Sequence, residues 1–191
     1  MRLDRIFYRS RQFWQALYAV PDADDLTLAE GILSPKQMVL FTRLQTGEQA
    51  HSLLVFKRVY VHCQLDPVES QTDLLAAALL HDVGKSCYTL SLWERALIVL
   101  AKAGFPNRIE EWGTLPVNES EANPDRGQSG WKRAFVIAEQ HPKWGAELAV
   151  SAGCSALTVS LIRRHQEPHV SQPDTIEDRL LSRLQSADGS F

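Results

Sequence analysis

Seven consecutive apolar residues, Leu74-Leu75-Ala76-Ala77-Ala78-Leu79-Leu80, run directly into His81-Asp82-Val83-Gly84-Lys85. A helix made of such a run has no face to give to water, so the rest of the chain must enclose it. It is far shorter than the roughly 20 apolar residues that a membrane span requires. The segment therefore predicts a central, buried helix in a water-facing protein. Asp66-Pro67 reads as its start and Val83-Gly84 as its end.

The flanking sequence supplies helices to cover it. Leu3, Ile6, Phe7, Phe13, Trp14, Leu17 and Tyr18 share one helical face before Pro21. That aromatic stripe reads as core or as a contact between two copies of the chain, as in a homodimer. Ser34-Pro35 opens a helix through about Leu44, which Thr46-Gly47 interrupts. From Glu48 to about His62 the apolar residues again recur at threes and fours. Leu92 to Ala103 follows, with Gly104 as its stop signal, and then Trp131–Glu139, Trp144–Ala152, Ser155–Arg164 and Thr175–Gln185. Between Phe105 and Gly130 lie three Pro, three Gly and three Asn, which predicts a long flexible connection. No segment alternates as a strand would. The expected fold is all-α, a single-domain bundle of about eight short helices, with the helices of residues 1–46 packing on a domain formed by 47–191.

Charge and cysteine content narrow the function classes. Twenty Lys plus Arg against 23 Asp plus Glu leave a formal charge of −3 over 191 residues, and the basic residues are scattered. Nonspecific or sequence-specific nucleic-acid binding is therefore not expected, nor is attachment to an acidic membrane. Cys63, Cys87 and Cys154 form no C-x-x-C pair. With no apolar stretch of an export signal near the start, a reduced, cytoplasmic setting is the expectation. Neither G-x-S-x-G nor G-x-x-x-x-G-K-S/T occurs.

The chemistry is concentrated in histidines and two aspartates. His81 and Asp82 stand where the buried helix runs out, and adjacent imidazole and carboxylate groups there can converge on one divalent cation. Taken alone, a His-Asp pair is more often a helix C-cap. His51 lies in the preceding helix and Asp188 just beyond the final one. His141 opens His141-Pro142-Lys143-Trp144-Gly145-Ala146-Glu147, and His165 ends a helix in Arg163-Arg164-His165. Imidazole and carboxylate ligands together suit Mn²⁺, Fe²⁺, Zn²⁺, Co²⁺, Ni²⁺ and, less comfortably, Mg²⁺.

In order and helix context, His51, His81-Asp82 and Asp188 resemble the H…HD…D signature of the HD superfamily of metal-dependent phosphohydrolases, over residues 48 to 188. His141 and His165 resemble the additional ligands of its two-metal members. The resemblance implies one or two divalent metal ions held by His51, His81, Asp82, His141, His165 and Asp188, with His51, His81 and Asp188 completing one site, His141 and His165 serving the other and Asp82 bridging. It further implies hydrolysis of a phosphomonoester or phosphodiester, plausibly a nucleotide. Two ions about 3.5–4 Å apart can share a hydroxide and clamp phosphate oxygens. Asp82 and Lys85 then carry the catalytic roles, with Lys85 as a point charge on a substrate phosphate oxygen. Arg163, Arg164 and Lys143 are further phosphate contacts to consider, while His62 and His169 read as ordinary surface or loop residues. The alternative is a regulatory module that binds metal or nucleotide without turnover.

The stretch after His165 lacks the Gly-Tyr-Pro element of the cyclic-dinucleotide branch, and Arg164 stands where that branch has a second histidine. Both departures argue against cyclic di-GMP as substrate. Specificity is expected from the N-terminal helices, the 105–130 stretch or a partner subunit.

Overall fold

The computed structural model describes residues 20–66, 69–104, 108, 112–113, 132–169 and 172–189. The aromatic stripe of residues 3–18 and nearly all of the 105–130 connection lie outside these residues. Eight α-helices, one 3₁₀ turn and no strand are found among the described residues, so the chain is all-α. The helices are α1 (Ala23–Ile32), α2 (Pro35–Phe41), α3 (Thr46–Leu65), α4 (Gln71–Leu80), α5 (Leu92–Gly104), α6 (Arg133–Ser151), α7 (Ala156–Arg164) and α8 (Ile176–Asp188). The 3₁₀ turn, Val83–Cys87, follows α4. No helix among the described residues is long and apolar enough to cross a membrane.

Helix α4 is the axis of the fold. Every residue from Leu74 to Leu80 is buried, and α1, α2, α3, α7 and α8 all pack against it. Ala29, Phe41, Phe56, Ala146, Leu161 and Leu181 bring the surrounding helices into the same apolar cluster. Removing such a run from water on all sides is the main reason the bundle closes, at about 25 cal/mol for each Å² of apolar surface buried.

Several helix ends obey their capping residues. Ser34 accepts the Gln37 N–H while the Gln37 side chain accepts the Ser34 N–H, a reciprocal box at the start of α2. Ser155 and Thr175 accept the backbone N–H groups of Thr158 and Asp178 at the starts of α7 and α8.

Other boundaries differ from the sequence expectation. Thr46-Gly47 begins α3 rather than interrupting a helix, and the break lies at residues 42–45. Asp66 caps the end of α3 instead of opening the central helix, which begins at Gln71 after Ser70 in a left-handed conformation (φ 58°). The α4 helix ends at Leu80, not at Val83-Gly84. Asp82 then adopts φ −94°, ψ 1°, and its carbonyl accepts the Lys85 N–H, which tightens the chain into the 3₁₀ turn.

The two helices expected at 131–139 and 144–152 are one helix, α6, that runs through Pro142. Asp188 is the last residue of α8 rather than a residue beyond it.

Candidate metal centre

The six expected ligands come from five places in the chain, and the bundle brings them together. His51 projects from α3, His81 and Asp82 from the end of α4, His141 from α6, His165 from the end of α7 and Asp188 from the last turn of α8. They form two triads, His51/His81/Asp188 and Asp82/His141/His165, and within each triad the candidate ligand atoms lie within 4.8 Å of one another. His81, Asp82, His141 and His165 are buried, with no more than 4 % of any of them exposed. His51 and Asp188 are half-buried, so the first triad is the more open to solvent.

Burial of so many polar groups needs a compensating interaction. Three histidines have one ring nitrogen accounted for in the same manner. His81 Nδ1 donates to the Ala78 carbonyl at 3.0 Å, and His165 Nδ1 donates to the Ile162 carbonyl at 2.7 Å. His141 Nδ1 donates to the Ala138 carbonyl at 2.8 Å, with the Ile137 carbonyl at 3.2 Å. A carbonyl can only accept, so in each neutral ring the proton is on Nδ1 and the Nε2 lone pair faces the centre. Metal-binding histidines are commonly oriented by such outer hydrogen bonds.

Pro142 frees one of those carbonyls, that of Ala138. Inside a helix, the N–H of residue 142 would normally bond to the carbonyl of residue 138, and proline has none. The His141 ring takes that carbonyl instead. The helix therefore continues through a proline because the neighbouring side chain satisfies the vacated acceptor, and the same bond aims His141 Nε2 inward.

The inward-facing atoms are short of protons. His141 Nε2 and His165 Nε2 stand 3.3 Å apart, both as lone-pair atoms, with Asp82 Oδ1 3.2 Å from the first and 3.9 Å from the second. The Gln166 amide reaches His141 Nε2 at 3.4 Å. His81 Nε2 is buried without a hydrogen-bond partner, 3.6 Å from Asp82 Oδ2 and 3.7 Å from Asp188 Oδ1. His51 Nε2 lies 2.9 Å from Asp188 Oδ1. Ligands about 2.1 Å from a cation stand about 3–3.5 Å apart at octahedral or tetrahedral angles. The donors and most of their spacings therefore fit divalent cations in both triads.

Asp82 joins the two. Its Oδ1 faces His141 and His165, whereas Oδ2 faces His81, His51 at 4.0 Å, and the Lys85 ammonium at 2.6 Å. Burial pushes the Asp82 carboxyl upward, but the Lys85 ammonium outweighs it and holds it well below the usual carboxylate range. Burial likewise works against the Lys85 charge, yet Asp82 keeps its pKa above the ordinary lysine value. Asp188 is lowered too, because the His51 hydrogen bond overcomes the effect of burial. Burial lowers His141, and it pushes His165 down to about 3 with help from the neighbouring histidines. Both carboxylates are thus ionised and both rings neutral near pH 7, the states that bind metal.

Lys85 stands on Asp82 rather than reaching into open space. Arg164 is committed to Glu167, Glu177 and Asp178, and Arg163 and Lys143 are exposed. His62 is exposed, and His169 bonds to Gln185 away from the centre.

Two neighbours were not apparent from sequence spacing. Arg95 and Glu48 pair at 2.6 Å and line a cleft of about 160 Å³ that also touches Lys85, His141 and Gln166. Gln166 directly follows His165, which was a usable signal, but Glu48 and Arg95 are 47 residues apart and share no local pattern.

Fold and site together define an all-helical protein with two joined, largely buried His/Asp triads able to hold metal ions. Comparisons with protein-family models, curated proteins and solved structures give no match.

Proposed function

We propose that the protein is a metal-dependent phosphohydrolase that cleaves a phosphomonoester or phosphodiester such as a nucleotide, in the manner of the HD superfamily its motifs resemble. The observation that carries this reading is the position of Asp82, with one carboxylate oxygen turned to each triad. His51, His81 and Asp188 would hold one cation, His141 and His165 a second, and Asp82 would bridge them. Divalent ions held there supply Lewis-acid charge and lower the pKa of water for attack on phosphorus.

The chain's own residues prepare that chemistry. The Nδ1 bonds to backbone carbonyls fix three imidazoles in one tautomer, so they need no reorganisation when a cation is bound. Lys85 neutralises part of the Asp82 charge and stands beside the cleft, where its ammonium can meet a phosphate oxygen. With a formal charge of −3 on the whole chain, two divalent ions would still place a local excess of positive charge here, suited to an anionic substrate.

The test is metal analysis of protein purified without added salts, followed by a screen of phosphoesters with Mn²⁺, Mg²⁺ or Ni²⁺. Bound divalent ions and hydrolysis that disappears in both His81→Ala and Asp82→Ala are expected. Hydrolysis that survives both substitutions would overturn the mechanism. Occupied sites with every phosphoester left intact would favour a regulatory metal-binding module.

A further inference from the structure

The cleft beside Asp82 has an asymmetric lining. Leu90, Ile98 and Ile137 give it apolar walls, and Lys85 and His141 connect it to the metal centre. Its remaining strong polar feature is the Arg95–Glu48 pair. Arg95 Nε donates to the Leu90 carbonyl at 3.3 Å, and Nη2 donates to Gln45 Oε1 and Glu48 Oε1, each at 2.6 Å. These bonds hold one edge of the guanidinium between the start of α3 and the Leu90 carbonyl. Neither N–H of Nη1 meets an acceptor among the described residues.

Glu48 is already engaged through both of its oxygens. Its Oε1 receives Arg95, and its Oε2 receives the Gln45 backbone N–H at 3.1 Å. The charged side-chain groups left to meet a ligand are donors: Arg95 Nη1 and the Lys85 ammonium. A group made of acceptor oxygens would be satisfied, and a guanidinium fixed along one edge is suited to phosphoryl oxygens.

We propose that Arg95 is a specificity-determining residue that receives a second phosphoryl group of the substrate while the scissile one lies at Asp82. The preferred substrate then carries at least two phosphoryl groups separated by a short span, not an isolated phosphomonoester. Glu48 holds the Arg95 fork in place before the ligand arrives, which reduces the ordering cost of binding. The inference rests on the phosphohydrolase reading above, since that reading places the first phosphoryl group.

Calorimetric titration of the full-length, Mn²⁺-loaded protein with orthophosphate, pyrophosphate and tripolyphosphate tests it, with metal content measured before and after. The better of the two polyphosphates should bind about tenfold more tightly than orthophosphate, as expected for one added charge-assisted contact. Arg95→Lys keeps a cation against Glu48 but loses the fork, and should remove most of that preference. Because a lone Arg95→Met would strand the buried Glu48 charge, the double variant Glu48→Gln/Arg95→Met is the second arm, and it should abolish the preference with metal content unchanged. A wild-type protein with full metal content and no preference, or variants that retain it, would overturn the role of Arg95 alone. Failure of the wild type to take up metal would overturn the parent reading and this one with it.

Discussion

Gly84 lies against the backbone of His141 so closely that a Cβ on Gly84 would fall 1.9 Å from the His141 carbonyl oxygen. The same Cβ would stand 2.7 Å from the Gly145 backbone nitrogen, and one on Gly145 would come 3.1 Å from that of Gly84. This contact locks the 3₁₀ turn that follows Asp82 onto the helix that carries His141. The two halves of the second triad are positioned by it.

Gly84→Ala should therefore push the turn away from α6, since the obstructing atoms are backbone and cannot rotate aside. The expected cost is about 1–3 kcal/mol or more, the range for overpacking a closed interior. Urea unfolding would read the stability loss, and metal analysis should show weaker retention at the Asp82/His141/His165 triad. A variant with wild-type midpoint and metal content would contradict this role for the contact.

Pro142→Ala should separate stability from metal affinity. Alanine restores the backbone N–H and removes the helix-interior penalty of proline, about 3 kcal/mol, so the melting temperature should rise or hold. The new N–H competes with the His141 ring for the Ala138 carbonyl. Loss of such an orienting bond typically weakens metal binding 10–100-fold. Competition with a chelator would measure it, and unchanged affinity would show that the ring does not depend on that carbonyl.

Single substitutions should also divide the metal count. His165→Ala, which removes a ligand of the second triad, should lower the bound metal from two ions toward one. His51→Ala should do the same through the first triad. Asp82→Ala should deplete both, because each of its oxygens faces one triad. Mass spectrometry of the native proteins gives the stoichiometry, and an Asp82→Ala variant that retains two ions would remove Asp82 from its bridging position.

The all-α fold and the buried central helix were legible because a seven-residue apolar run can be satisfied only by enclosure. The six candidate ligands were legible through the resemblance of His51, His81-Asp82 and Asp188 to an ordered H…HD…D signature, with His141 and His165 as its additional ligands. Their division was legible as well, with His51, His81 and Asp188 on one side of Asp82 and His141 and His165 on the other; what the sequence did not show is which Asp82 oxygen faces which helix. The gap expected between Trp131–Glu139 and Trp144–Ala152 is bridged at Pro142. The local rule that proline ends a helix holds only if the freed carbonyl has no other donor, and His141 is that donor. Arg95 gave no signal because its meaning comes from Glu48 on another helix.

The helix that carries Arg95 has its own acid sensitivity. Glu94, buried at the start of α5, accepts the Ser91 hydroxyl and backbone N–H through Oε2 and pairs with Arg133 through Oε1 at 2.6 Å. Burial would raise its pKa, but the Ser91 bonds and Arg133 together lower it below the ordinary glutamate value. In the unfolded chain Glu94 takes up a proton more readily than in the folded one. Its stabilising contribution is therefore complete above the unfolded value, about pH 4.3, and is lost as pH falls through the lower folded value. Glu94→Gln removes the charge at every pH and leaves Arg133 without its ion pair. The variant should lose about 1–3 kcal/mol at pH 7, the range for a disrupted buried, charge-assisted bond. Its difference from wild type should shrink as the pH is lowered below 4. Urea unfolding of both proteins across pH 3 to 7 measures that difference, and a gap independent of pH would show that the Glu94 charge does not hold α5 to α6.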